Sequence, residues 1–179
     1  MAQSRQSLTL QYFPNPIVSQ IHGKPTFPSI YKLHQEIKAN AASVPSTLGG
    51  GQHGHLGIVL SPMKYQLISL TPFNKPVDPG PPTLTANMTW NQMQAVRLAN
   101  KEARDEFDKV ISVEAALKQQ ITTALQPEYL QDLKNPITHT IKHPISVIFD
   151  TLYNKYGKIT KKQSLPEKGF SFQSTSSWL

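Results

Sequence analysis

Met93-Gln-Ala-Val96-Arg-Leu-Ala-Asn100-Lys-Glu-Ala103-Arg-Asp-Glu-Phe107-Asp-Lys-Val110-Ile-Ser-Val-Glu114-Ala-Ala-Leu117-Lys-Gln-Gln-Ile121-Thr-Thr-Ala124 is the stretch whose periodicity decides the fold class. The numbered residues follow one another at alternating spacings of three and four, and eight of the ten are apolar. That is the pattern of an amphipathic helix. Lys101, Glu102, Arg104, Asp105, Asp108 and Lys109 fall on its other side. Val110, Ile111 and Val113 crowd β-branched side chains together, and Ser112 can cap a new helix, so a break is expected near Ile111–Ser112. Phe107, Leu117 and Ile121 are expected in the core.

Working outward, other helices have their own start and stop signals. Ser29 can cap a helix to about Ala42, with Ile30, Leu33, His34 and Ile37 on one face and Pro45 as a stop. Ser61-Pro62 opens a short helix to Ile68. Pro127 opens another to about Leu133, interrupted by Asn135-Pro136. A further short helix fits residues 137–142. Pro144 starts the last one, which presents Ile145, Ile148, Phe149, Leu152 and Tyr156, with Gly157 as its C-cap. The expected fold is mainly α, a multi-helix domain over residues 29–157 with no sizeable sheet. Prolines 14, 16, 25 and 28 make residues 1–28 an extended N-terminal arm. Prolines 72, 76, 79, 81 and 82 make residues 71–82 an extended connection. Residues 158–179 read as a mobile, disordered basic tail.

Between the lead and the helical body lies Leu48-Gly49-Gly50-Gly51-Gln52-His53-Gly54-His55-Leu56-Gly57-Ile58-Val59-Leu60, which holds five of the nine glycines. Glycine lets backbone approach backbone closely, so this stretch is taken as a hinge. His53 and His55 are too few for a metal cage by themselves, and no metal is expected. The triple glycine lacks the Lys-Ser/Thr that a phosphate-binding P-loop needs. Asp150-Thr151 meets Leu152 where an aspartic protease needs glycine. Neither G-x-S-x-G nor H-E-x-x-H occurs. The expectation is a non-enzyme with no cofactor and no small-molecule substrate.

The chain has no cysteine and carries a net charge of +7. The charge is uneven: residues 1–77 hold six Lys/Arg against one acid, residues 78–134 six against eight, and residues 135–179 six against two. Basic ends favour a polyanion such as RNA. Lys155, Lys158, Lys161, Lys162 and Lys168 are the candidate nucleic-acid contacts. No run approaches a membrane span, no signal peptide is evident, and a cytoplasmic location is expected.

Several pieces together resemble the Gag-type capsid proteins of copia-type retrotransposons, in protist and algal forms. They are Gly49-Gly50-Gly51-Gln52-His53-Gly54-His55-Leu56-Gly57, then Ser61-Pro62 with Tyr65, then Pro72-Phe73 and Pro79-Gly80. Further on come Phe107, Val113-Glu114 with Ala116-Leu117, Gln120-Ile121, Tyr129-Leu130 and Tyr156-Gly157-Lys158-Ile159-Thr160. The resemblance implies a retroviral-capsid-like helical domain that self-assembles around the element's RNA. It also implies truncation, since the zinc knuckle and the helices expected after Thr160 are missing. The alternative reading is a helical nucleic-acid-binding module that does not assemble.

Overall fold

Thr9 and Leu10 are helical, so the lead is not extended throughout, and Thr26 opens the first long helix. Its side chain accepts from the backbone N–H of Ser29, and Ser29 Oγ accepts in return from the N–H of Thr26 at 2.9 Å. This reciprocal cap satisfies two otherwise orphaned donors. The helix α1 therefore runs Phe27–Ser43 and starts earlier than the expected cap at Ser29, which serves as the second half of the box. The computed structural model describes residues 9–158. Within them the protein is mainly helical with no strand.

Helix α1 is the central element. Ile30, Leu33, Ile37 and Ala41 are buried against α2 (Leu56–Val59), the C-terminal part of α4 (Trp90–Ala124) and α5 (Ile145–Tyr156). His34, on the same helix, stacks on Phe149 with ring centres 4.1 Å apart, and its Nδ1 lies 3.1 Å from the Tyr153 hydroxyl. Burial, helped by Lys38 and Lys64, pushes its pKa down to about 4. Helix α3 is the single turn Pro62–Tyr65, capped by Ser61 as expected, and turns carry the chain on past Ile68.

The proline-rich lead joins this core. Phe13, Val18 and Ile21 are buried in it, although residues 15–26 form no regular element. Ser19 donates twice to the Glu36 carboxylate, from N–H and Oγ, each at 2.7 Å. The Ile21 N–H reaches the Ala124 carbonyl at 2.7 Å. The buried Asn40 amide accepts from Asn15 N–H at 2.9 Å and donates to both Asn15 O and Gln120 Oε1 at 2.8 Å. Gln120 donates in turn to Asn15 O at 3.0 Å.

Helix α4 is one helix of 35 residues, not two meeting at Ile111–Ser112. The β-branched residues do not break it, because Val110 and Val113 gain burial in the core that outweighs their small loss of propensity. Thr89 and Gln92 cap it reciprocally. Its buried residues begin only at Val110, so the preceding twenty residues stand beyond the core. Phe107, expected inside, is only half-buried, with the Arg104 guanidinium 6.0 Å above its ring. The cause is helical geometry. A three-four alternation repeats every 3.5 residues, and on a helix of 3.6 residues per turn such a stripe drifts by about 20° per heptad. Its C-terminal end faces the core. Its N-terminal end turns toward the proline-rich connection.

That connection lies along α4 as a strap and runs antiparallel to it. Lys75 pairs with Glu114 at 3.0 Å, Asp78 with Arg104 at 2.8 Å, and Gly80 O accepts from Asn100 Nδ2 at 3.0 Å. After α4, a 3-10 segment over Pro127–Leu133 buries Leu130 and Leu133. The helix expected over residues 137–142 does not form. Asn135 Oδ1 instead accepts from the N–H groups of Ile137 and Thr138, and this side-chain turn replaces it. Helix α5 buries Ile145, Ile148, Phe149 and Leu152, and the Gly157 N–H closes it on Tyr153 O at 2.9 Å.

The two phenylalanines should separate in a denaturant titration. Phe149→Ala removes a fully buried ring and should cost about 3–5 kcal/mol. Phe107→Ala removes a partly buried one and should cost less, about 1–2 kcal/mol. Equal costs would place the N-terminal half of α4 in the core.

Candidate functional site

The glycine–histidine stretch folds as a packed joint between the end of α1 and the start of α2. Leu48–Gly50 make a 3-10 turn, closed by Gly51 N–H on Leu48 O at 3.0 Å. Gly49 has φ +60°, and a Cβ there would run into the Tyr65 ring. The fully buried Tyr65 donates its hydroxyl to Gly49 O at 2.8 Å, and Ser69 Oγ donates to the same carbonyl at 2.9 Å. Gly54 has φ +53° and lies against the last carbonyls of α1, where a Cβ would meet Ala42 O and Val44 O. Gly57 lies directly under Phe73 of the strap. Phe73 also meets Tyr65 edge-on at 5.8 Å and His55 at 6.4 Å.

Both histidines of the stretch bond backbone. His53 Nε2 donates to Ile68 O at 3.1 Å, and His55 Nδ1 donates to Val44 O at 2.8 Å. Only a protonated nitrogen can donate to a carbonyl, so the other nitrogen of neutral His55, Nε2, holds the lone pair. That atom is buried without a partner. Burial, with Lys109 adding to it, pushes the His55 pKa down against the opposing bond to Val44. Among the described residues, no three His, Asp or Glu side chains are placed to hold a metal ion.

Beside the joint, a cleft of about 370 Å³ lies between Pro45–Thr47 and α4, lined by Asp105, Glu106, Lys109 and Val110 with His55 at its base. Thr47 Oγ1 donates to Glu106 across it at 3.2 Å. Ser46 Oγ accepts from Leu48 N–H, and His55 makes no bond to it, so the cleft holds no paired nucleophile and base. The candidate RNA-binding lysines divide. Lys155 is engaged by Asp132, which holds its pKa up, and its ammonium lies 5.4 Å over the Tyr156 ring. Lys158 is exposed. Lys161, Lys162 and Lys168 lie outside the described residues, as does the tail from Ile159 onward. No helix of the described residues is long and apolar enough to cross a membrane.

Tyr65, Ser69 and Phe73 are what the glycines pack against, and sequence reasoning did not assign them that role. A bulky ring a few residues beyond a glycine cluster is the one signal that points to it.

Gly54→Ala should destabilise the protein more than Gly57→Ala: a Cβ clashes at both, against carbonyls or the root of the Phe73 side chain, but only Gly54 also holds a left-handed backbone, at φ +53°. Tyr65→Phe should cost only about 1 kcal/mol, since Ser69 still satisfies Gly49 O. Thermal melts of the three variants check this order. Stability should also depend on pH. His34 and His55 are both depressed in the fold from the ordinary imidazole value of 6.5. Their contribution is complete above that value and is lost as pH falls, because the unfolded chain takes up protons that the folded one refuses. For His34 the loss continues to about pH 4. Urea midpoints should fall from neutral to acid pH, and the fall should be shallower in His34→Gln. An unchanged slope in that variant would contradict the assignment.

Compared with known protein families, curated proteins and solved structures, the chain matches none.

Proposed function

We propose that this chain is a structural Gag-like capsid protein of a long-terminal-repeat retrotransposon, which self-assembles in the cytoplasm and packages RNA. The observation that carries the reading is that separate pieces of the sequence resemblance touch one another. Gly49 receives the Tyr65 hydroxyl, Gly57 lies under Phe73, and Tyr129 meets Tyr156 edge-on at 5.4 Å. Residues scattered over more than a hundred positions thus act as packing partners. Such a motif preserves the shape of a subunit rather than presenting reactive groups.

In this reading RNA is held by charge. Lys158, Lys161, Lys162 and Lys168 are the main contacts, with Lys155 lending only what its pair with Asp132 leaves over. A zinc knuckle is absent, so binding is to phosphate without base readout.

Light scattering and negative-stain microscopy of the purified chain with RNA should show defined large particles. A chain that stays small yet binds RNA in a salt-sensitive way would favour the non-assembling module. Replacing Lys158, Lys161 and Lys162 by Ala should weaken binding about equally for unrelated RNA sequences and flatten the dependence on salt. Unchanged affinity and slope would remove the lysines from the RNA contact.

A further inference from the structure

We infer that the cleft between Pro45–Thr47 and α4 binds a guanidinium group carried on a short alkyl chain, a binding site that stands whether or not the chain assembles. His55 lies at the base of the cleft and is 1% exposed. Burial holds its ring neutral. Its Nδ1 donates to Val44 O, and its Nε2 is buried with a lone pair and no partner. A buried acceptor loses its hydration on folding and regains a bond only from a donor that reaches it. Pro45 and Val110 supply apolar walls, and the volume of about 370 Å³ is that of a small-molecule site.

The remaining groups of the cleft select the ligand. Asp105 and Glu106 line it as two carboxylates against the single ammonium of Lys109, so with His55 neutral its side chains sum to one negative charge. Glu106 accepts from Thr47 Oγ1 at 3.2 Å, and an ionised carboxylate has room for about three further bonds. Asp105, already 3.9 Å from Lys101, adds to the field. Acceptors at base and wall under a negative field call for a cationic donor. An anion would meet two carboxylates and receive no hydrogen bond from Nε2. Among cations, guanidinium fits better than ammonium. Its planar fork has donors enough for the imidazole and the carboxylate together, and its weaker hydration makes burial less costly. Its alkyl chain packs on the apolar walls. The group comes either from a free alkylguanidine or from an arginine side chain of a protein.

Calorimetry and NMR of the imidazole nitrogens, on the full chain, test the site. Butylguanidinium should bind and move the His55 Nε2 resonance upfield, as happens when that nitrogen accepts a hydrogen bond. Butylammonium should bind more weakly. Glu106→Gln, which keeps an acceptor for Thr47, should weaken butylguanidinium about tenfold, the loss of one charge-assisted bond. Lys109→Gln should tighten it. Glu102→Gln, on α4 but outside the cleft, should leave it unchanged. Acetylarginine amide distinguishes the sources: tighter binding than butylguanidinium supports an arginine of a protein, and weaker binding supports a free compound. The titration of the parent decides even where a variant fails to fold. A His55 resonance that stays in place at millimolar butylguanidinium overturns the site and leaves Nε2 to water alone. Butylammonium binding as tightly, or weaker binding in Lys109→Gln, overturns the choice of a guanidinium.

Discussion

Two buried amides join the parts of this molecule that no continuous hydrophobic pattern connects. Asn40 on α1 and Gln120 on α4 bond each other and the backbone of Asn15 and Pro16. Both side chains are buried, so each amide group must find a partner inside or lose the free energy of its hydration. The lead, irregular over residues 15–26, supplies the carbonyls. Registry follows from this. Once Asn15 is held between the two amides, Phe13 and Val18 flank it in the core and Ile21 reaches the last turn of α4. Losing Asn40 would leave the Asn15 N–H of the lead and Gln120 Oε1 of α4 unsatisfied together, a cost that an apolar contact does not carry.

The long helix is bound by a different constraint, the mismatch between its pattern and its turn. Its apolar stripe winds from the strap to the core, so no single partner can cover it. The strap and the core therefore divide the helix, and Glu114 marks the border. It pairs upward with Lys75 of the strap and with Lys118 on its own helix at 3.4 Å, one turn from the buried Leu117. On the N-terminal side of Val110, polar groups replace apolar ones as the means of attachment. Asn100 and Arg104 hold the strap by its Gly80 carbonyl, and hydrophobic burial plays little part.

Helices α4 and α5 were legible from spacing, while the cap signal at Ser112 pointed to a break in α4 that does not form. The core positions Leu117, Ile121, Ile148, Phe149 and Leu152 followed from spacing as well. Phe107 did not, because spacing identifies a stripe but not what lies opposite it. Asn40 and Gln120 were invisible for a related reason: an amide on a helix face reads as solvated until its partner, eighty residues away, is in place. In the glycine stretch, close backbone approach could be foreseen from composition alone. Its partners could not, because Tyr65 and Phe73 belong to a short turn and an irregular strap, where no periodicity marks which side chains point inward.

The joint and the projecting helix make opposite demands, and together they bear on what kind of protein this is. At the joint, every approach is filled. Gly54 lies against carbonyls and Gly57 against a ring, while His55 Nε2 is buried without a partner beside the cleft. Such close packing ties α1, α2 and the strap together. On the exposed half of α4, large apolar and charged groups remain open to contact. Binding to a flexible body would have to meet the cost of ordering it, and a rigid body avoids that cost. A subunit that must repeat the same contact many times gains most from this combination, since any error in angle accumulates from copy to copy. In the capsid reading, then, the glycines act at a distance, by fixing the direction in which α4 is presented to the next chain.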